Sequence, residues 1–152
     1  MFDKEQAKSK LKELVSNFSQ ANLNKDYVNS QNEEWVKHNY IEPLLYDVLG
    51  WSRGDIEKEA RVLKGRADYI LKIGNEEVLV IEAKKVGASL TEDVGRQAVS
   101  YAYHRKVKIA IVTNFKEIRV FHALSNIKNI DNNLIKLEQN VPFRLPFDKF
   151  IE

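Results

Sequence analysis

The chain has 152 residues, 24 Lys and Arg against 22 Asp and Glu, a net charge of +2, and no cysteine. With 43% apolar and 30% charged residues, it can build a core and is not a disordered tail. Disulfides, cysteine nucleophiles and zinc fingers are excluded, and the small net charge excludes coating of nucleic acid by bulk charge while leaving room for a local basic groove.

Residues 3–20 read as a helix, because Ala7, Leu11, Leu14, Val15 and Phe18 recur at helical spacing. Polar residues 22–31 read as a connection. A second helical pattern runs from Asn32 to Leu49, with Val36, Tyr40, Leu44, Leu45 and Val48 on one side. Asn32 is its natural N-cap, Pro43 should kink or split it, and Gly50 should stop it. Trp35 and Trp51 are expected to pack this helical region.

From Ile56 the period changes to that of strands. Residues 56–63, 67–73 and 78–84 read as strands, the last two joined by a turn at Gly74-Asn75-Glu76. Leu90–Arg105 reads as a helix, with Leu90, Val94, Ala98 and Tyr101 on one face. Val107–Thr113 is an apolar strand, Asn114–Lys116 a turn, Glu117–Leu124 a strand and Leu134–Leu137 a short last strand. Pro142 and Pro146 point to an extended, irregular end. The expected fold is α/β: a mixed sheet of about four or five strands flanked by helices. One domain is expected over 1–152: an N-terminal helix and connection over 1–31, a core over 32–124 and a C-terminal extension over 125–152. No apolar run approaches the roughly 18–20 residues that span a bilayer, and the charged start is unlike a signal peptide, so a cytoplasmic protein with no membrane partner is expected.

The chemistry concentrates in Gly65-Arg66-Ala67-Asp68-Tyr69 and Val80-Ile81-Glu82-Ala83-Lys84-Lys85. A three-residue turn would pair Ile73 with Glu77 and, counting outward, set Asp68 opposite Glu82 on adjacent antiparallel strands. Directly opposed side chains have Cβ atoms about 4.5–5.5 Å apart. Lys84, two residues on, points to the same face. Two carboxylates so close repel unless one holds a proton or a divalent cation sits between them. Oxygen ligands without His or Cys favour Mg²⁺ or Mn²⁺ over zinc. The plainer reading is a solvated salt-bridge face, worth about 0–1 kcal/mol. Against it, Glu82 ends the apolar run Val78-Leu79-Val80-Ile81, so its charge lies near the core and needs a partner.

Asp68 followed by Glu82-Ala83-Lys84 resembles the PD-(D/E)xK nuclease signature, with Ala67 at the variable proline position. Asn32-Glu33-Glu34, Ile41-Glu42-Pro43-Leu44-Leu45 and Leu49-Gly50-Trp51 resemble the opening of the N-terminal nuclease domain of type I restriction enzyme R subunits. Gly65-Arg66-Ala67-Asp68-Tyr69, Ile81-Glu82-Ala83-Lys84-Lys85, Gln97-Ala98 with Tyr101-Ala102, and Val112-Thr113-Asn114 continue in the same order. The resemblance covers roughly residues 30–124.

It implies a restriction-endonuclease-like fold and a Mg²⁺-dependent endodeoxyribonuclease, with Mn²⁺ as substitute, working in a restriction-modification system. Asp68 and Glu82 would be metal ligands, joined by the backbone carbonyl of Ala83. Lys84 would position or activate the attacking water. Glu33, with Glu34 as fallback, would be the supporting acid of the first core helix; helix-dipole pairing explains both equally well. Gln97 and Tyr101 share a helix face and resemble the QxxxY element that contacts substrate, although a core tyrosine and a boundary glutamine fit as well. Lys85 would join substrate binding, and Lys84, Lys85, Arg96, Arg105, Lys106 and Lys108 could border a phosphate groove or be plain solvated charge. The implied partners are DNA, a motor domain and modification or specificity subunits. This sequence has neither a G-x-x-x-x-G-K-[ST] loop nor a G-x-S-x-G elbow. His38, His104 and His122 lack ligand spacing. Two other readings stay open: a non-catalytic nucleic-acid-binding or interaction module on the same fold, and a stand-alone resolvase or repair nuclease.

Overall fold

The computed structural model describes residues 2–62, 65–123 and 143–146. Asp3 caps the first helix, α1 (Lys4–Asn22), accepting hydrogen bonds from the N–H groups of Glu5 and Gln6. The expected connection over 22–31 contains a short helix of its own, α2 (Lys25–Ser30), because the Asn24 side chain accepts from the Tyr27 N–H and starts a new turn. Asn32 caps α3 (Glu33–Val36) through the Trp35 N–H.

The helix after Asn32 does not break at Pro43. It continues in two π-wound segments, Lys37–Ile41 and Leu44–Val48, one on each side of the proline. Pro43 cannot donate to the turn before it and its ring crowds that turn, so wider winding accommodates it where a tight α-helix would not. Gly50 ends the segment at φ +76°, a left-handed conformation that suits glycine. A 3₁₀ turn, Arg53–Asp55, leads into the sheet.

The described residues form a six-stranded mixed sheet in chain order: β1 (Ile56–Val62), β2 (Gly65–Ile73), β3 (Glu76–Ala83), β4 (Ile109–Thr113), β5 (Glu117–His122) and β6 (Phe143–Pro146). Only β3 and β4 run parallel, and α4 (Glu92–His104) supplies the crossover that parallel neighbours need. The α/β expectation holds. The strand number does not, since the extended end around Pro146 forms β6 along the edge of β5, a place where a strand proline is tolerated. The expected strand over 134–137 lies outside the described residues.

The β2–β3 turn is also tighter than expected. Ile73 pairs with Glu76, so Gly74 and Asn75 alone form the turn, with Gly74 at φ +64°. The register then shifts between Leu71 and Lys72, leaving Val78 as an extra residue on β3. This bulge restores the expected register before the site, and Tyr69 stands opposite Ile81.

Alternate strand residues enter two cores. Ile70, Val80, Ala110 and Val112 pack with Ala98, Val99 and Ala102 of α4. Tyr69, Leu71, Ile81 and Ala83 pack with Leu14, Phe18, Val36, Tyr40, Ile41 and Leu45 of the N-terminal helices. Trp35 and Trp51 border the second core, as expected. The alternation fails at one place. Ala67 belongs to the α4 core, yet Tyr69, two residues on, belongs to the other. On β1 the same change falls between Ile56 and Ala60, with Glu59 between them at φ +54°. The first two strands, β1 and β2, turn over at Glu59 and Asp68. Among the described residues no helix is long and apolar enough to cross a membrane.

Candidate active site

Where the strands turn over, backbone pairing gives way to side chains. The Asp68 N–H donates to Glu82 Oε1 at 3.0 Å, and the Ala83 N–H donates to Asp68 Oδ2 at 2.8 Å. The last backbone pair before this point is Tyr69 with Ile81. Each carboxylate therefore caps the opposite strand, and the two are locked side by side. Both residues are buried.

Two like charges held in a buried place raise the cost of ionising both. Burial, then the neighbouring Asp68 charge, pushes the Glu82 carboxyl up to about 8; the Asp68 N–H, Lys84 and Lys37 pull the other way without compensating. Lys84 follows β3 directly, its N–H donating to the Thr113 carbonyl at 2.8 Å. Its ammonium lies 3.5 Å from Glu33 Oε1. The fold thus brings together Asp68, Glu82, Lys84 and Glu33 from β2, β3 and α3. Lys85 is exposed one residue further on.

Lys37 and Glu59 join this group and were not singled out in the sequence. The Lys37 ammonium lies 2.7 Å from Asp68 Oδ1, and 3.1 Å from both Glu34 Oε1 and Glu59 Oε1. Burial alone would lower its pKa, but Asp68, then Glu59 and Glu34, outweigh burial and hold it above the usual lysine range. Lys37 sits one helical repeat after Glu33, and that spacing was the signal available for it. Glu59 was legible only through the β1–β2 register, in which Lys58 faces Tyr69 and Ala60 faces Ala67. Glu34, the fallback acid, pairs with Lys37, whereas Glu33 pairs with Lys84.

Gln97 and Tyr101 share a face of α4, and the Gln97 side chain donates to the Tyr101 hydroxyl at 3.0 Å. Tyr101 is buried in the α4 core, and its hydroxyl stands where a Cβ on Gly65 would be, 2.2 Å away. This places the pair beside the start of β2, three residues before Asp68. Neither residue hydrogen-bonds Asp68, Glu82 or Lys84. Arg105 of the expected basic group is committed elsewhere: it binds both Glu77 oxygens at 3.0 Å and approaches Glu57. All three histidines are exposed.

The donor set suits a hard cation. Asp68 and Glu82 offer carboxylate oxygens without nitrogen or sulfur, and their mutual repulsion leaves the pair short of positive charge. Among the described residues no three His, Asp or Glu side chains converge closely enough to hold a metal alone. Two carboxylates, with water completing the shell, are the usual protein share of a Mg²⁺ site.

A family model described as type I restriction enzyme R protein N terminus matches residues 32–132. The type II restriction enzyme and methyltransferase RM.Eco57I of Escherichia coli is 29% identical over 150 residues, a match covering 84% of this chain and 15% of that protein. No solved structure matches.

Proposed function

Because the chain belongs to the family of type I restriction enzyme R protein N-terminal domains, we propose that it is the nuclease part of a restriction system and hydrolyses DNA phosphodiesters with Mg²⁺ or Mn²⁺. The observation that carries this reading is the clasp between Asp68 and Glu82. Two buried carboxylates are fixed against each other by backbone N–H groups at the opening of the sheet. Lys37 and Lys84 offset only part of the burial and of the Asp68 charge, so Glu82 remains hard to ionise and the pair can still take a further cation.

Asp68 and Glu82, with the Ala83 carbonyl, would hold the metal, which when bound supplies charge stabilisation at the scissile phosphate and an acidified water. Lys84 stands at the end of β3, partly exposed, where its ammonium can orient the attacking water and offset charge building on the phosphate. Glu33 holds Lys84 from the helix side. Lys85 would meet the DNA backbone as an exposed cation. The Gln97–Tyr101 pair would support the strand from behind and lie beside the path of the substrate. No covalent intermediate is needed, since water would be the attacking group. A motor domain and modification or specificity subunits would be the remaining partners, acting on the same DNA.

Plasmid nicking by the purified protein with Mg²⁺ or Mn²⁺ tests the reading. The wild type nicks, and Asp68→Ala, Glu82→Ala and Lys84→Ala do not. Nicking by all three variants at the wild-type rate would sink the assignment. Mn²⁺ binding by the wild type separates it from a binding module on the same fold.

A further inference from the structure

Lys37 is more than one half of a salt bridge. Its ammonium is enclosed by one carboxylate oxygen each from α3, β1 and β2, at 3.1, 3.1 and 2.7 Å, and its side chain is only 7% exposed. These are charge-assisted hydrogen bonds on all three donors of the ammonium. Two departures from regular backbone serve this arrangement. Lys37 opens the first π-wound segment, and Glu59 adopts φ +54° within a strand, a strained conformation for a non-glycine residue. Asp68 is thereby divided: Oδ1 faces the ammonium, and Oδ2 accepts from the Ala83 N–H on the strand that carries Glu82.

A carboxylate whose two oxygens serve two cation positions is the device by which two-metal sites hold ions about 3.5–4 Å apart. Here one of the two positions is already filled by a cation tethered to the chain.

We propose that Lys37 is a positioning residue that takes the place of a second metal ion: its ammonium fills the Glu34–Glu59–Asp68 position, so the site accepts one divalent ion, at Asp68 and Glu82. The proposal rests on the metal-dependent reading above. The ammonium fixes the Asp68 rotamer and offsets charge, as a metal would. It has no bound water to acidify, so hydrolytic chemistry stays with the single ion. Among the described residues no three carboxylates are arranged to hold a metal as they stand, these three included. Glu34 and Glu59 are 74% and 49% exposed, so without Lys37 they are free to swing inward.

The test is a count of Mn²⁺ bound per chain, by equilibrium dialysis and by the Mn²⁺ electron paramagnetic resonance spectrum. The wild type binds one ion. Lys37→Arg keeps the tethered charge and also binds one. Lys37→Met binds two, and the second appears as dipolar broadening that loss of packing alone would not produce. Thermal unfolding in chelator checks that Lys37→Met folds. Should it not, the count is made on Lys37→Met with Glu59→Gln, which strands one carboxylate fewer and is expected to bind two ions, the second more weakly. Two ions on the wild type, or one on the folded Lys37 variant, would overturn the proposal while leaving the metal site standing. No ion on either would overturn the metal-dependent reading and this proposal with it.

Discussion

Asp68 and Glu82 each hold the other's strand: the Asp68 N–H donates to Glu82 Oε1 at 3.0 Å, and Oδ2 of Asp68 accepts from the Ala83 N–H at 2.8 Å. The backbone thus fixes both rotamers before any ligand arrives, so binding requires no further ordering of these side chains. It also makes the two carboxylates part of the fold, which separates the effect of removing them from the effect of removing Lys84.

Asp68→Ala strands the buried Lys37 ammonium and leaves the Ala83 N–H unpaired, and breaking a buried pair in this way costs about 3–5 kcal/mol. Lys84→Ala removes a partly exposed side chain that contacts Glu33 at 3.5 Å, so it should change stability by less than about 1 kcal/mol. Both should lower nicking at least about 10²-fold, the scale of losing one group that stabilises the transition state. Urea unfolding and plasmid nicking on the same preparations check this. Equal losses of stability in the two variants would contradict it.

Stability without divalent metal should fall as pH rises toward 8. Folded Glu82 keeps its proton up to about 8, against an ordinary value of 4.5. Between those values the folded chain binds more protons than the unfolded chain, so rising pH favours unfolding. Glu82→Gln removes that slope. Thermal unfolding in chelator from pH 5 to pH 8 measures it: Tm falls more steeply for the wild type than for the variant.

Gly65→Ala should destabilise the chain by roughly 1–3 kcal/mol, the usual cost of overpacking. The added Cβ would lie 2.2 Å from the Tyr101 hydroxyl and 3.1 Å from its ring carbon. Tyr101→Phe on that background removes the nearer clash and keeps the farther one, so it should restore part of the loss. Denaturant midpoints of the wild type and the two variants give the comparison.

Phe115 joins the turn between β4 and β5 to the helices. It stacks on Tyr40 at 4.8 Å and meets Phe18 edge-on at 5.1 Å. Phe115→Ala should cost about 3–5 kcal/mol. Because Phe115 holds φ +68°, Phe115→Gly relieves the backbone and should be no worse than the alanine variant, although it removes one carbon more. Equilibrium unfolding of both decides it.

The hairpin that carries Asp68 and Glu82 was legible because strand alternation and a glycine turn set the register within narrow limits. The turn was placed one residue too long, and the extra residue reappears as the Val78 bulge, which no local pattern announces. Period two also misleads near the start of β2: it puts Ala67 and Tyr69 on one face, whereas the strand turns over between them. That reversal depends on Glu59 taking a left-handed conformation, which propensity disfavours and tertiary contacts with Lys37 stabilise. Lys37 was not singled out, since a lysine between Trp35-Val36 and His38-Asn39 carries no mark of burial. Only the three surrounding carboxylates make that burial tolerable, and two of them, Glu59 and Asp68, come from strands far along the sequence.

The wide winding over Lys37–Ile41 and Leu44–Val48 makes this segment sensitive to residue number. Deleting one residue there would let the helix tighten to ordinary α pitch and rotate one half against the other by about 100°. Either Glu33 and Lys37 would swing away from the open strand ends, or Tyr40 and Leu45 would leave their seats in the core. Single-residue insertions and deletions between Lys37 and Val48 should therefore be tolerated far less well than exchanges of side chain at the exposed His38, Asn39 and Asp47.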